Sequence, residues 1–542
     1  MGPVLGPHNP LANRLPPGGA SSAKRAPENH QVTAPWPQPR AAFPVLVALL
    51  PVLFLLLWVD LPLVEDSLFW WVPRAHLLAE QGPRWIAAGD LPLACIPTLT
   101  LPPQWTGGLP DYGHPPLWFH YLALWLRVLG PHAWVVRLAC LPVVALLGLG
   151  VVALARRLAG PAGVPLAAAA LLSPPLLAQL ARPDTDLPLL AASVWALVAL
   201  CDDRAPRFAL LTVLAAWLKE PAALLVAPAL FLAVKDRNPR LLVASTAAPL
   251  ALLAWALVHK HNAGWALAGA EHLPADLGAY LRDLGSVLHL SLLTTGRWLI
   301  WALTLGALAA QLVRRAAPAP PVARSRQAQL VCGVFVVSQL LVFAGLNFLG
   351  GRGAQDAYTH VRYLLPAITV ASLMGLALTI QALRSTVPAV KRQPLLGAAI
   401  VTALVVLASL PSARWLHPRG PEANLFGVDQ ARAWRIAAEQ IEQHRPEQGR
   451  VWVESHLFTA LTRPYAGLVA QPWAGLSPFG PTTRPEDLAP GDLIVHSRYG
   501  EPMSRLGELV LEPVATATSG SAWVKLELVR AGRSASEPPP QR

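Results

Sequence analysis

The chain has 542 residues, of which 54% are hydrophobic and 14% charged, and its mean hydropathy is +0.42. Because a soluble domain carries about 25% charged residues, this composition excludes an ordinary water-soluble protein. The net charge of +12 does not indicate a nucleic-acid partner, since Lys and Arg lie at the ends of apolar blocks. Those blocks are roughly 18–24 residues long, enough to cross about 30 Å of hydrocarbon.

The N-terminal part of the chain predicts a cytoplasmic extension followed by a first span. Residues 1–42 are proline-rich and basic without an apolar core, which is typical of a disordered extension. The first span is predicted at 43–63, with its start facing the cytoplasm because basic residues precede it.

A long outer loop is predicted at 60–134, since it is too polar and too rich in proline to span. Its stretch 67–82 is amphipathic and is expected along the membrane interface. The segment 115–129 is apolar but short for a span. It predicts a juxtamembrane helix, with a short span as the alternative.

The segment 208–234 is interrupted by the sequence Lys219-Glu220-Pro221, and each half is too short to cross alone. It predicts a re-entrant pair of helices, because broken backbone is tolerated at membrane depth only where protein or a cavity surrounds it. The basic loops 314–326 and 384–392 are predicted to be cytoplasmic. Counting this pair as two, together with the first span and eight others, gives about eleven membrane segments. The eight other predicted spans are 134–155, 161–180, 187–201, 241–258, 291–313, 327–347, 364–383 and 394–411.

The composition becomes more polar after residue 428, which predicts a small α/β domain over 428–530 on the outer face and a disordered tail, 531–542. Its predicted elements are a helix at 429–450, strands at 450–455 and 491–497, and a hairpin at 508–530. The predicted fold is therefore a polytopic α-helical membrane protein, 43–412, with a C-terminal α/β domain.

Two candidate sites lie in the first outer loop. Glu65 and Asp66 are either solvated loop residues or a general base, whose pKa desolvation against the protein would raise. His114 precedes two prolines, which is either an ordinary loop-to-helix junction or part of a substrate cavity.

Further ionisable residues lie near the ends of apolar blocks. Arg137 starts a span, where it either extends to the interface or binds a lipid phosphate. The group Arg182, Asp184 and Asp186 is either a solvated cluster or the polar lining of a cavity.

Lys219 and Glu220 stand in an apolar region, where ionisable residues are costly and hence functional candidates. The alternative is that they pair with each other for structural reasons. Arg362 and Tyr363 begin a span, either as an interfacial anchor or as a phosphate site, which the planar guanidinium suits.

These motifs, in this order, resemble the membrane glycosyltransferases of the type C fold. That superfamily includes the protein O-mannosyltransferases and the transferase that adds aminoarabinose to lipid A. The resemblance covers about 43–412. It is carried by Glu65-Asp66, the His-Pro-Pro-Leu turn at 114–117, Arg137 at the start of the next span, the Asp-rich turn at 182–186, the lysine at 219 and Arg-Tyr at 362–363.

The resemblance implies a transferase that takes a sugar from a polyprenyl-phosphate donor at the outer face of the bacterial inner membrane. It implies a catalytic carboxylate at Asp66, with Glu65 second, although this chain has Glu-Asp where the family usually has Asp-Glu. Donor phosphate binding is implied for Arg137, Lys219, Arg362 and Tyr363. Cavity residues would be His114, Arg182, Asp184 and Asp186.

No cofactor and no metal are expected, because the four cysteines form no CxxC pair and basic side chains are available for the leaving phosphate. The partners expected are the lipid-linked donor, membrane lipids and a lipid, glycan or protein acceptor. Two alternatives remain: an envelope polysaccharide polymerase or ligase, and a non-enzymatic transporter of a lipid-linked sugar. A transporter often carries inverted repeats with matching broken helices, whereas this chain has one broken segment.

Overall fold

The computed structural model describes residues 42–64, 67–86, 114–180, 182–263, 276–294, 296–313, 323–345, 361–415, 426–479, 483–497, 509–519 and 522–530. They form a helical membrane domain, residues 42–415, and a C-terminal domain built on a five-stranded sheet.

The helices of the membrane domain follow the apolar blocks of the sequence, and several of them end where proline or glycine interrupts the block. The helix that starts at Ala133, for example, ends before Gly160, which adopts φ +63°. The α-helices, apart from the short Pro388–Arg392, are Ala42–Leu57, Val72–Gln81, Leu117–Leu129, Ala133–Ala159, Gly163–Leu171, Pro174–Leu180, Asp186–Cys201, Ala205–Leu218, Val226–Lys235, Pro239–Ser245, Ala247–Ala263, Leu277–Leu288, Arg297–Val313, Ala323–Gly345, Leu365–Thr386 and Pro394–Trp415.

The predicted break at Lys219 is present. Lys219 has extended backbone, φ −165° and ψ 148°, and separates helix Ala205–Leu218 from a 3₁₀ turn over Glu220–Leu225. Pro221 ends the helix because it lacks an N–H and its ring would clash with the preceding turn. The Lys219 N–H donates to the Ala215 carbonyl at 3.0 Å, so the break leaves this backbone donor bonded.

The prediction of one span over 161–180 is wrong as a single helix. Helices Gly163–Leu171 and Pro174–Leu180 are separate there. The consecutive prolines at 174 and 175 favour a new first turn, where a missing N–H costs nothing, and so they end the helix before them.

Among the described residues, four helices are long and apolar enough to cross a membrane, and a bent pair raises this to five. Several other apolar helices have 10–17 residues, below the length of a simple span. The helical membrane fold is thus present, and the count of about eleven segments remains a prediction.

The C-terminal domain has one mixed sheet packed against helix Phe426–His444. Its strand order is β2-β1-β3-β5-β4; β1 is parallel to β2 and β3, whereas β5 is antiparallel to β3 and β4. Three predicted strand regions are present, and β2 and helix Ser455–Thr462 were not predicted. The strands are β1 Val451–Glu454, β2 Leu476–Phe479, β3 Leu493–Ser497, β4 Val510–Ser519 and β5 Ala522–Arg530.

Candidate active site

Four charged side chains from three distant parts of the chain meet inside the membrane domain. Asp186 lies in the first turn of helix Asp186–Cys201 and Lys219 lies at the helix break. The Lys219 ammonium is 2.6 Å from Asp186 Oδ1. Arg362 lies 3.6 Å from Asp184 Oδ2 and 3.9 Å from Asp186 Oδ2. We call Asp184, Asp186, Lys219 and Arg362 the charge cluster.

The charge cluster is withdrawn from water: Asp184 is 0% exposed and Lys219 1%. The interpretation of Asp184 and Asp186 as solvated residues is therefore wrong. Removing charges from water costs several kcal/mol per ion even after relaxation, so burial without function would be an expensive way to stabilise the fold. Ionisable residues kept at such depth are functional candidates.

Tyr363 forms one wall of the charge cluster. The Lys219 ammonium lies 4.0 Å from the centre of its ring, and the Arg362 guanidinium carbon lies 5.0 Å from it. Both distances suit a cation–π contact, since the ring face is electron-rich. Tyr363 therefore holds the two cations close together, with the Arg362 guanidinium also donating to its hydroxyl at 3.3 Å.

The first outer loop reaches the charge cluster through Ser67. Its hydroxyl donates to Asp184 Oδ1 at 2.7 Å and is buried. The predicted catalytic pair, Glu65 and Asp66, lies outside the described residues. Ser67 directly follows Asp66 in the chain, and it was missed by sequence reasoning because a single serine in an amphipathic stretch carries no signal.

The His114 and Glu220 side chains are hydrogen-bonded to each other, and Glu220 directly follows Lys219 of the charge cluster. Nδ1 of His114 lies 3.0 and 2.9 Å from the two carboxylate oxygens of Glu220. The idea that Lys219 and Glu220 pair with each other is therefore wrong: each takes another partner. The His-Pro-Pro turn is thus tied to the helix break that carries Lys219.

Arg137, whose role in phosphate binding stays a prediction, has backbone partners inside the protein. It is 1% exposed, and its guanidinium donates to the carbonyls of Leu61 and Pro62 at 3.1 and 3.0 Å. These contacts hold the chain just before Glu65. The sequence alone did not place these backbone acceptors, which follow the first helix, near Arg137.

The turn at 182–186 is fixed from the side of the first loop. The indole N–H of Trp118 donates to the carbonyl of Pro183 at 3.1 Å, and Trp118 is itself buried. Arg182, like the two aspartates after it, is buried, at 2% exposed. Trp118 follows the His-Pro-Pro-Leu turn directly, so this turn supports both sides of the charge cluster.

An apolar cavity of about 340 Å³ is lined by residues that are close in sequence to His114 and Lys219. Its wall includes Pro116, two residues after His114, and Trp217, two residues before Lys219. Two further tryptophans, Trp85 and Trp255, also line it, and their rings lie 5.7 Å apart. The full lining is Pro83, Arg84, Trp85, Pro116, His120, Trp217, Ala254, Trp255 and Val258.

Comparison with protein families supports the resemblance drawn from the motifs. A family model described as dolichyl-phosphate-mannose-protein mannosyltransferase matches residues 113–265. The predicted resemblance is confirmed. The matched segment contains His114, Arg137 and Lys219 as well as the turn at 182–186, whereas Arg362 and Tyr363 follow it.

Two solved structures of ArnT from Cupriavidus metallidurans are similar to the chain. The structure bound to undecaprenyl phosphate is 16% identical, with a TM-score of 0.49, over 92% of this chain and 99% of that chain. The apo state is 15% identical, with a TM-score of 0.47, over 90% of this chain and 98% of that chain. Curated protein sequences give no significant match.

Proposed function

We propose that this protein transfers a sugar from a polyprenyl-phosphate donor to an acceptor at the outer face of the inner membrane. The observation that carries the proposal is the buried charge cluster, in which Lys219 and Arg362 face two aspartates within one bond network that reaches Ser67. The family description, which names dolichyl-phosphate-mannose, supports a lipid-phosphate sugar donor for residues 113–265.

Lys219 and Arg362 are proposed to hold the donor phosphate. Arg362 lies 3.6 and 3.9 Å from its carboxylate partners, longer than the roughly 2.7–2.9 Å of a direct charge-assisted hydrogen bond. Its planar guanidinium suits an approaching phosphate oxygen. The apolar, aromatic cavity beside Trp217 suits the isoprenoid chain attached to that phosphate.

The reaction is a displacement at C1 of the sugar. The acceptor oxygen or nitrogen forms a bond to C1, its proton passes to Asp66, and the bond from C1 to the phosphate oxygen breaks with the electron pair leaving on the polyprenyl phosphate. The phosphate gains negative charge in this step. Lys219 and Arg362 therefore stabilise the transition state more than the bound donor, which is what accelerates a reaction.

The test of the base compares two neighbouring variants. Asp66→Asn keeps the size of the side chain and removes its basicity, so transfer should fall by about 10²–10⁴-fold, while Glu65→Gln should retain measurable transfer. The assay follows consumption of polyprenyl-phosphate sugars from a lipid extract of the native membrane by mass spectrometry. This readout also identifies the sugar.

Two outcomes would change this picture. A fall of only a few-fold in Asp66→Asn, with Glu65→Gln inactive, would exchange the two roles. If the wild-type protein moved intact sugar lipids between the leaflets of a vesicle and released no polyprenyl phosphate, the transferase would be wrong and a transporter would replace it.

The C-terminal domain is proposed to face outward. In a variant without Cys95, a cysteine placed at the exposed Glu486 should react with an impermeant maleimide in spheroplasts, while one at Ala319 should not. Labelling at Ala319 alone would invert the topology.

A further inference from the structure

The C-terminal domain contacts the chain just before Glu65. The Leu63 N–H donates to the Ala466 carbonyl at 2.8 Å, and the Arg435 guanidinium donates to the Asp60 carbonyl. Ala466 belongs to the turn 464–467, which follows helix Ser455–Thr462. Residues 60–63 thus have partners in both domains, since Arg137 of the membrane domain holds Leu61 and Pro62.

The same part of the C-terminal domain contacts the chain just after Asp66. The rings of Phe69 and His456 meet edge to face with centroids 4.7 Å apart, and those of His76 and Tyr465 lie 5.3 Å apart. Phe69 and Tyr465 are buried. Aromatic pairs at such distances add to the apolar area they bury, so this side of the loop is also fixed.

Gly467 fits the turn closely against the membrane domain. It has φ +72°, and a Cβ added to it would lie 2.4 Å from Cβ of Ala133, the first residue of the helix that carries Arg137. The next atoms of Ala133 would be 3.7 and 3.8 Å away, which is ordinary contact. A single methyl group, at position 467 or at position 133, therefore decides whether the turn can pack against the helix that starts at Ala133.

From these contacts we infer that the C-terminal domain is a positioning element of the active site: the turn 464–467, with His456, holds the first outer loop in place on both sides of Glu65 and Asp66. The catalytic part of this inference rests on the proposed function. A base must be held within a fraction of an ångström of its productive position. The contacts at Leu63 and Phe69 hold the described residues that flank the proposed base in the chain. The domain thus acts on the reaction through the loop, without touching the reacting atoms.

The test uses Gly467→Ala in the full-length protein. The added methyl must push the turn away from Ala133, so peptides covering residues 58–64 should exchange amide hydrogen faster than in wild type. The turnover number for release of polyprenyl phosphate should fall on the order of 10- to 100-fold, with the KM for the donor lipids little changed.

Two controls separate docking from backbone strain. Gly491 lies in the same domain at φ +93°, and an added Cβ there meets nothing within 4 Å. Gly491→Ala therefore introduces similar strain without a clash and should exchange and turn over as wild type. The double variant Gly467→Ala/Ala133→Gly removes the clashing methyl and should recover most of both readouts.

If amide hydrogen exchange at residues 58–64 is unchanged in Gly467→Ala, the turn 464–467 does not hold the loop. If exchange is faster and the turnover number is unchanged, the C-terminal domain has no positioning role in the reaction. Failure of the double variant to recover either readout would also contradict the inference. If wild-type protein released no polyprenyl phosphate, the proposed function would fail, and hydrogen exchange would still decide whether the turn holds the loop.

Discussion

Two regions of the molecule bury carboxylates, and they satisfy them in opposite ways. In the charge cluster, Asp186 has the Lys219 ammonium at 2.6 Å. In the C-terminal domain, Glu454 ends β1 and is 0% exposed. It accepts hydrogen bonds from the hydroxyl of Ser497 on the neighbouring β3, at 2.8 Å, and from the backbone N–H of Leu457. Burial raises the pKa of Glu454 to about 7, although the bond from Ser497 opposes this shift.

The difference teaches what each site is built to hold. A buried carboxylate held by neutral donors, as Glu454 is, avoids the cost of burial by taking up a proton, and it then behaves as a structural group. A carboxylate paired with a buried cation keeps charges at a depth where each costs several kcal/mol. Such a site suits a ligand that is itself charged, and we therefore assign the chemistry to the charge cluster and not to Glu454.

The largest effect is expected from removing one partner of the buried ion pair. Lys219→Met leaves Asp186 without its ammonium, so the protein should lose about 3–5 kcal/mol of stability, measured as a lowered thermal midpoint in detergent. The double variant Lys219→Met/Asp186→Leu should regain that stability but not transfer. If the double variant also regained transfer, the pair would be purely structural.

The next effect concerns the pH dependence of the C-terminal domain. The pKa of Glu454 is about 7 in the fold against an ordinary 4.5, so the folded state binds more protons than the unfolded state between these values. The contribution of Glu454 to the free energy of unfolding should therefore be fully present below about pH 4.5. It should be lost, on the order of 3 kcal/mol, as the pH rises through about 7.

Glu454→Gln should remove this contribution, because the amide stays neutral. Tryptophan fluorescence of the full protein, heated at a series of pH values, measures it. A pH dependence that persisted unchanged in Glu454→Gln would assign it to other groups.

A smaller effect is expected for donor binding. Arg362→Ala removes a guanidinium from the charge cluster and should weaken binding of polyprenyl phosphate by about 1.5–3 kcal/mol, as for other hydrogen bonds to charged groups. Arg484→Ala is the matched control, since Arg484 is exposed and pairs only loosely with Glu486 at 3.5 Å. Equal affinity in the two variants would return Arg362 to the role of an anchor.

The smallest effect compares the same change in the two regions. Ser67→Ala removes a hydrogen bond of 2.7 Å to Asp184, and Ser497→Ala removes one of 2.8 Å to Glu454. Below the pKa of Glu454 the loss at Ser497 should be about 0.5–1.5 kcal/mol, and the loss at Ser67 should be larger because its partner belongs to a charged network. Equal losses, measured by thermal unfolding at about pH 5, would show that the two carboxylates are held alike.

Much of this fold was predictable because its signals are local. Blocks of apolar residues mark the helices, and Pro221 marks the break at Lys219, two residues before it. The strands β1 and β3 were predicted from short apolar runs. β2 was not, because its sequence Leu-Ser-Pro-Phe has neither length nor alternation and becomes a strand only by pairing with β1.

The partners within the candidate site were predictable to a smaller extent. Lys219 and Asp186 stand out as charges in apolar surroundings, yet the adjacent Glu220 looked like an equally good partner for Lys219. Extended backbone at Lys219 and the following turn direct the two side chains to different groups, Asp186 and His114. Their adjacency in the sequence therefore suggested the wrong partners, because the direction of the backbone determines which group each side chain reaches.

The sequence by itself determined that the protein lies in a membrane and which ionisable residues are costly enough to be functional, because hydropathy and the price of burying a charge depend on residue type. Only the tertiary structure decided which of those charges meet. It also showed that Arg137 holds backbone carbonyls and that the turn 464–467 seats against Leu63 and Ala133. Contacts across tens to hundreds of residues depend on how helices pack, and packing is set by shape complementarity, which residue order along one segment does not encode.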